Sequence, residues 1–223
     1  MHTASGAPPR REAHSLPYNV GLLVLLAALF GVALAYWIDA AGRGTAHPAV
    51  AQGDGPVVRT LAGRELRIPA SWFRDGGSRS AGFSKQIDLR LVLPLGVAGR
   101  PLPVAITLAP RSQVRPSSAL LDGVYLHQFQ PEQLSGPPGL VGKPLVAVDG
   151  YKGETVWYDP LSANPFVAKC LAPVAGEKAS RCLRSVYLGT GIAAVYDFDA
   201  EILANWRQFD AELAGPLGRI GAL

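Results

Sequence analysis

The sequence predicts an α+β protein in which a transmembrane helix precedes one domain, an antiparallel sheet with helices packed on one face. Three observations lead to this fold class. The first is an uncharged apolar run over residues 20–38. The second is a series of short segments of alternating polarity separated by Gly and Pro, which is typical of antiparallel strands. The third is an amphipathic segment near the C-terminus, which predicts a helix lying on the sheet.

The apolar run from Val20 to Ile38 is long enough to cross a membrane as a helix. At 1.5 Å per residue it extends about 28 Å, close to the thickness of the hydrocarbon core. Arg10 and Arg11 precede the run, and Arg43 is the single basic residue soon after it. Because Lys and Arg near a span are retained inside, residues 1–19 are predicted to be a cytoplasmic tail.

A cleaved secretory signal is the alternative interpretation of this run. Ala33-Leu34-Ala35 has the small-x-small form of a cleavage site. An uncleaved anchor is favoured because the apolar run continues through Tyr36-Trp37-Ile38. Residues 39–57 are rich in small and turn-forming residues and are predicted to be a flexible tether. We therefore predict a single-pass protein of the bacterial inner membrane with most of its chain in the periplasm.

The remaining part, 58–215, is large enough for one domain with its own core, and 216–223 is predicted to be a C-terminal tail. Arg outnumbers Lys by 16 to 5, which is typical of a GC-rich bacterial genome. From Arg59 to Arg115 there are ten basic and three acidic residues. This half could face anionic lipid or an acidic partner, or it could be an ordinary solvated surface.

The first half of the domain is predicted to consist mainly of strands. The strongest signal is Gln86–Leu93, where Ile87, Leu89, Leu91 and Leu93 alternate with less apolar positions, as in a half-buried strand. The predicted elements are a hairpin (Val58–Leu61 and Glu65–Ile68), a helical turn (Ala70–Arg74), a Gly/Ser-rich surface loop (Asp75–Ser84) and two strands (Gln86–Leu93 and Leu102–Leu108).

The second half combines helices with strands. The final helix begins at its cap, Asp199, and Gly215-Pro216 is predicted to end it. Its apolar stripe comprises Ile202, Trp206, Phe209 and Leu213. The elements before it are a helix (Pro116–Phe129), a Gly/Pro-rich connection (Pro131–Pro144), a hairpin (Leu145–Val148 and Glu154–Tyr158) and three strands (Phe166–Leu171, Cys182–Leu188 and Ile192–Phe198).

The two cysteines of the chain, Cys170 and Cys182, both lie on the predicted periplasmic side. In an oxidising compartment an isolated pair indicates one structural disulfide, which would join neighbouring strands. Closing a loop of this size is worth about 3 kcal/mol in the chain-entropy model. The alternative, a redox-active pair, is usually a Cys-x-x-Cys motif at the start of a helix.

Four short motifs carry a resemblance to a known group of proteins. They are Leu66–Ala70 followed by Arg74, Asp88–Leu91 followed by Pro94, Phe166–Leu171 followed by Cys182, and Ile202–Trp206. In this order they resemble a family of single-span bacterial envelope proteins of uncharacterised function. The resemblance covers about residues 61–214. It implies the same topology and a disulfide, and it implies no reaction.

The sequence contains no recognisable catalytic constellation, so enzyme activity stays an open question. The four histidines are scattered, and we predict no metal, no cofactor and no nucleic-acid partner. One alternative function is an envelope hydrolase or saccharide-acting enzyme. It would use the carboxylates of Asp149, Glu154 and Asp159 beside the aromatic rings of Tyr151, Trp157 and Tyr158. The competing interpretation of these aromatic residues is strand packing.

The favoured function is a membrane-tethered periplasmic binding or interaction domain. Such a domain would be an accessory or scaffold component of the cell envelope or of an inner-membrane complex, with a protein partner in the envelope. The candidate partner contacts surround the Gly/Ser-rich loop: Trp72, Phe73, Arg74 and Arg79. A purely structural envelope protein is the third alternative.

Overall fold

The computed structural model describes residues 16–44, 55–74, 81–147, 153–173, 179–189 and 191–223. The chain divides into two compact units, Met1–Gly53 and Asp54–Leu223. In the first unit the structure describes one helix, α1 (Leu16–Gly44). The second unit contains the sheets and the remaining described helices, and we refer to it as the domain.

Helix α1 has 29 residues, and its side chains are described from Val20 to Leu34. These side chains are all exposed. Over the parts of the chain that the structure describes, no helix combines the length and the hydropathy needed to cross a membrane. The predicted span Val20–Ile38 extends beyond the described side chains and stays a prediction.

The domain has an α+β fold, as predicted. Its described helices are α2 (Ser117–Gly123) and α3 (Trp206–Arg219), with short 3₁₀ turns elsewhere. Its described strands are β1 (Val57–Leu61), β2 (Arg64–Ile68), β3 (Gly82–Phe83), β4 (Ile87–Leu93), β5 (Leu102–Pro110), β6 (Val141–Pro144), β7 (Glu154–Tyr158), β8 (Val167–Leu171), β9 (Arg181–Tyr187) and β10 (Ile192–Asp199).

Seven of these strands form an antiparallel sheet in the order β4-β5-β10-β9-β8-β7-β6. The last five strands follow one another as a meander, and the β4–β5 hairpin joins this meander beside β10. The strongest strand prediction is confirmed, because Leu89 lies opposite Ile106 and Leu91 opposite Val104. All four side chains are buried, as the alternating pattern required.

A second sheet has three strands in the order β2-β1-β3. The predicted hairpin of β1 and β2 is confirmed. It turns at Ala62-Gly63, both with positive φ, as the favoured two-residue hairpin turns require. Phe83 of β3 lies opposite Thr60 in a parallel pairing. Part of the predicted loop Asp75–Ser84 is therefore strand, and residues 75–80 lie outside the described ranges.

Phe209 of α3 is the centre of the core on one side of the seven-stranded sheet, which we call the core face. Its ring centroid lies 5.4 Å from Tyr196, 4.7 Å from Phe198 and 6.0 Å from Phe166. These offset and edge-on contacts are the arrangements that aromatic rings prefer. Helix α3 therefore packs on the core face through the ring of Phe209.

The C-terminal helix differs from the prediction at both ends. Asp199 does cap it, accepting a hydrogen bond from the N–H of Glu201 at 2.8 Å, but the first turns, Ala200–Asn205, are 3₁₀ helix. At the other end α3 continues through Pro216 to Arg219. An interior proline costs about 3 kcal/mol. Burial of Leu217 and the residues after it offsets this cost.

The prediction that 216–223 is a tail is wrong. Leu217, Ile220 and Ala222 are at most 2% exposed and belong to the main hydrophobic core. The N–H of Arg67 in β2 donates to the carbonyl of Ile220 at 3.1 Å. The C-terminal residues thus complete the core and cover the edge of the small sheet.

Arg184 of β9 is a buried cation on the core face. Its guanidinium donates to the carboxylate of Asp210 in α3 at 3.3 and 2.7 Å, and it lies 4.5 Å from the ring of Phe166. Burial, helped by the charge of Asp210, raises the pKa of the neighbouring Tyr196, so its phenol stays protonated. The ion pair fixes α3 on the strand because a buried charge needs its partner.

The prediction that the helices pack on one face is wrong. Arg184 contacts α3, whereas the hydroxyl of the next residue, Ser185, lies 3.2 Å from Oγ of Ser117 in α2, and its N–H donates to the same atom at 2.8 Å. Adjacent residues of a strand point to opposite faces. Helix α2 therefore covers the other face of the sheet. It is also shorter than predicted, because Val124 has non-helical backbone angles.

The hairpin predicted for Leu145–Val148 is shifted in the structure. β6 pairs with β7 through residues Val141–Pro144, with Gly142 opposite Trp157. The pairing reaches Leu145, whose N–H donates to the carbonyl of Glu154 at 2.9 Å. Part of the connection predicted for Pro131–Pro144 is thus strand. The indole of Trp157 leaves no room for a side chain on the residue opposite it, so the register that places Gly142 there is favoured.

Candidate functional site

The domain contains an open cleft of about 380 Å³ on the core face of the sheet, beside β7 and β8. This volume lies at the lower end of the range for ligand pockets. The cleft is lined by Ser135, Gly136, Pro137, Gly153, Thr155, Trp157, Cys170, Leu171, Ala172, Ser180, Ala200 and Leu203.

One wall of the cleft is the Gly/Pro-rich segment 134–140. The indole N–H of Trp206 in α3 donates to the carbonyl of Pro138 at 3.2 Å. The N–H of Leu134 donates to the carbonyl of Gly142 at 2.9 Å, which attaches the segment to the edge of β6. The wall is therefore held both by α3 and by the sheet, and it carries Ser135 into the cleft.

Trp157 forms the base of this wall and fits between two glycines. A Cβ added to Gly136 would lie 2.1 Å from Cζ3 of Trp157, and one added to Gly142 would lie 2.5 Å from the same atom. Both distances are far inside van der Waals contact. The ring therefore requires glycine at both positions, which explains two glycines in a segment that the sequence alone describes as a connection.

Replacing Gly142 with alanine is expected to destabilise the domain. Since Trp157 must shift, the free energy of unfolding should fall by about 1–3 kcal/mol, the usual cost of overpacking. Urea denaturation followed by circular dichroism measures this. The matched control is Gly123→Ala, where a Cβ meets no atom within 4 Å. This control should be neutral or stabilising by up to about 1 kcal/mol. Equal stabilities of the two variants would contradict the tight fit at Trp157.

The disulfide predicted from the sequence is confirmed and contributes to the cleft. Cys170 of β8 lies opposite Cys182 of β9, and a disulfide joins them. Both residues are buried, and Cys170 lines the cleft. The bridge joins β8, which lines the cleft, to its neighbour β9.

The lining described for the cleft carries no ionisable side chain. It offers the hydroxyls of Ser135, Thr155 and Ser180 together with apolar groups such as the indole of Trp157 and the side chain of Leu203. No group of three or more His, Cys, Asp or Glu that could hold a metal ion occurs in the described ranges. This set of groups suits binding by shape, apolar contact and neutral hydrogen bonds.

The described carboxylates of the alternative enzyme site do not come together. Glu154 accepts from Nζ of Lys169 at 2.8 Å, on the face opposite the cleft, while Asp159 accepts from the N–H of Leu161 at 3.0 Å. They lie at opposite ends of β7, about 17 Å apart along the strand at 3.3 Å per residue. Paired glycosidase carboxylates lie about 5–10 Å apart. Asp149 lies outside the described residues.

The aromatic residues of that alternative site are also separated. Trp157 and Tyr158 are adjacent in β7 and therefore point to opposite faces. Tyr158 stacks on Phe129 with ring centroids 5.8 Å apart, as part of the small core beneath α2. Tyr151 lies outside the described residues. The two described rings thus contribute to packing on different faces and form no common platform for a sugar.

The candidate partner contacts fall in different environments. Phe73 is buried in the core and bridges to Leu89 of β4, so it cannot be a surface contact. Trp72 is half-buried against the core, and Arg74 is exposed. Arg79 lies outside the described residues. Sequence reasoning missed Phe83, which is 91% exposed at the edge of the small sheet. The only signal for it was its position in a Gly/Ser-rich segment.

No family model and no curated protein matches the chain. The comparison with solved structures found similar chains. One is Smlt3025, an immunity protein of the Stenotrophomonas maltophilia type IV secretion system, at 14% identity and a TM-score of 0.51. Another is the Neisseria meningitidis iron-regulated outer membrane lipoprotein FrpD, at 10% identity and a TM-score of 0.44. Each match covers 75% of this chain and 93% of the other. At 14% identity the likeness to Smlt3025 is one of fold.

Proposed function

We propose that this chain is a membrane-tethered envelope protein whose domain, 54–223, lies in the periplasm and binds a protein partner through the cleft. The observation that carries the proposal is the cleft itself. It is open, uncharged over its described lining, fixed on one side by Trp157 and Trp206, and built on a disulfide. We infer a site that recognises its partner by shape and neutral contacts.

The disulfide supports the proposal that the domain lies in the periplasm. A bridge between Cys170 and Cys182 forms and persists in an oxidising environment, and the cytoplasm keeps most thiols reduced. The fold shared with an immunity protein of a secretion system is consistent with an envelope-associated interaction domain.

Helix α1 supports the tether. Its described side chains from Val20 to Leu34 are apolar or glycine and are all exposed, with Phe30 71% and Leu23 66% accessible. Such a continuous apolar surface is unfavourable in water and favourable in lipid. Arg10 and Arg11 precede it in the sequence, which favours a cytoplasmic N-terminus. We propose that α1 is an uncleaved single-pass anchor.

Obstructing the cleft should weaken partner capture. Ser135 is exposed on the cleft wall, so Ser135→Trp fills the opening without disturbing the core. We expect recovery of the partner, after formaldehyde crosslinking in cells and affinity purification, to fall at least about tenfold, which corresponds to about 1.4 kcal/mol. Quantitative mass spectrometry measures the recovery against wild type.

The matched control is Ser112→Trp, because Ser112 is also an exposed serine but does not line the cleft. It should leave capture unchanged. Equal capture by wild type and both variants would contradict binding through the cleft. Capture lost equally in both variants would indicate a general effect of the added indole and would also count against the proposal.

A further inference from the structure

The outward side of the small sheet carries two exposed apolar side chains that the proposed function does not use. In the register of β1, β2 and β3, Val58, Thr60, Glu65, Arg67 and Phe83 share this side, because the alternate positions Leu61, Leu66 and Ile68 are buried in the core. We call these five residues the tether-proximal face. Phe83 is 91% exposed and Val58 37% exposed.

Two exposed cations border this face. Arg67 is exposed on the face itself, and Lys85 is exposed just after β3. The backbone places Lys85 there, because the N–H of the preceding residue, Ser84, donates to the carbonyl of Thr60 at 2.9 Å. Glu65 is the acidic residue of the face. An exposed aromatic ring flanked by cations suits an interface where apolar and anionic groups meet.

The face lies near the start of the domain in sequence. Residues 45–54 connect α1 to the domain, and an extended chain of that length spans at most about 36 Å. The connection enters at the start of β1, and Thr60, the partner of Phe83, is three residues further, about 10 Å along the strand. The face thus lies beside the point where the tether joins the domain.

We propose that the tether-proximal face rests on the anionic phospholipid surface of the membrane that holds α1. Phe83 inserts into the headgroup region, and Arg67 and Lys85 face the phosphates. This rests on the proposed anchoring by α1. This contact fixes the orientation of the domain on the membrane, so the opening of the cleft keeps a constant direction. The tether alone would let the domain rotate.

The test is photocrosslinking of the full-length chain in proteoliposomes. Benzoylphenylalanine replaces Phe83 in one sample and Leu161 in the other, since Leu161 is an equally exposed apolar residue of the domain, at 92%. We expect lipid adducts at position 83 and few at position 161. The yield at 83 should be several-fold higher in vesicles containing phosphatidylglycerol than in phosphatidylcholine alone, and Arg67→Glu with Lys85→Glu should remove that difference.

Each other outcome overturns the inference. No adduct at 83, or equal lipid adducts at 83 and 161, excludes a specific lipid contact. Adducts at 83 to a second protein chain identify a protein interface. Alkaline carbonate extraction of the same vesicles tests the anchoring by α1 separately from the lipid contact at Phe83. A chain that stays in the membrane but forms no lipid adduct at 83 removes this inference alone, whereas release from the membrane removes the anchor and this inference together.

Discussion

A chain that ends at Gly215 is expected not to fold. The truncation removes Leu217, Ile220 and Ala222, which are buried in the main core, and it exposes the edge of β2 at Arg67. Loss of a buried leucine or isoleucine costs about 2–5 kcal/mol each, so the two large side chains alone contribute about 4–10 kcal/mol. That is comparable with the whole stability of a typical domain, about 5–15 kcal/mol.

The measurement compares the truncated and full-length chains by circular dichroism and thermal denaturation. We expect no cooperative transition in the truncated protein. The control is Leu223→Ala, which changes a half-exposed residue of the same segment and should alter the free energy of unfolding by less than about 1 kcal/mol. A truncated chain that melts cooperatively near the wild-type temperature would show that residues 216–223 are dispensable.

Removal of the disulfide is expected to have the second largest effect. The cysteines are 12 residues apart, and in the chain-entropy model a loop of about this size contributes about 3 kcal/mol. The double variant Cys170→Ala with Cys182→Ala should therefore lower Tm by roughly 6–12 °C for a domain of this length. Because Cys170 lines the cleft, capture of the partner should fall as well.

Two comparisons separate loss of the covalent bond from loss of the side chains. Wild type treated with a reductant should show a decrease in Tm similar to that of the double variant. The double variant itself should not respond to the reductant. A double variant as stable as oxidised wild type would mean that the strand pairing of β8 and β9 already supplies the rigidity that we assign to the bridge.

Much of the sheet is predictable because its strands obey local rules. In β4 the alternation of Ile87, Leu89 and Leu91 with polar neighbours reports directly which side is buried. In β8 and β9 an isolated cysteine pair on the predicted periplasmic side has few alternatives to a disulfide. These features depend on residues that are close in sequence, or on chemistry that is specific to one residue type.

The features that the sequence does not predict depend on contacts between distant segments. A proline in the position of Pro216 ordinarily ends a helix. Here the helix continues, because the residues after Pro216 are buried in a core that includes strands from the other end of the domain. The register of β6 depends on the space that Trp157 needs at Gly142. The face on which α2 lies follows from a contact between Ser117 and Ser185 that periodicity does not encode.

The candidate site illustrates the same limit. The cleft takes its walls from a connection near Ser135, from two strands and from the 3₁₀ turn near Leu203, and none of these segments carries a motif. Among the described residues of the cluster in the sequence, Trp157 and Tyr158 point to opposite faces of β7, and Glu154 and Asp159 lie at its opposite ends. Clustering along the chain is therefore poor evidence for a site on a strand.

The hydrogen bond between Arg67 and Ile220 also determines when the domain can complete its folding. β2 is synthesised early, yet the N–H of Arg67 at its edge finds its partner only when Ile220 has been synthesised. One edge of β5 likewise stays unpaired until β10 has been synthesised. Such a high contact order implies slow folding after synthesis, with an unpaired strand edge exposed in the interval. Until then the chain is vulnerable to aggregation and to proteases. That period ends when residues 217–222 have been synthesised and have packed against the rest of the domain.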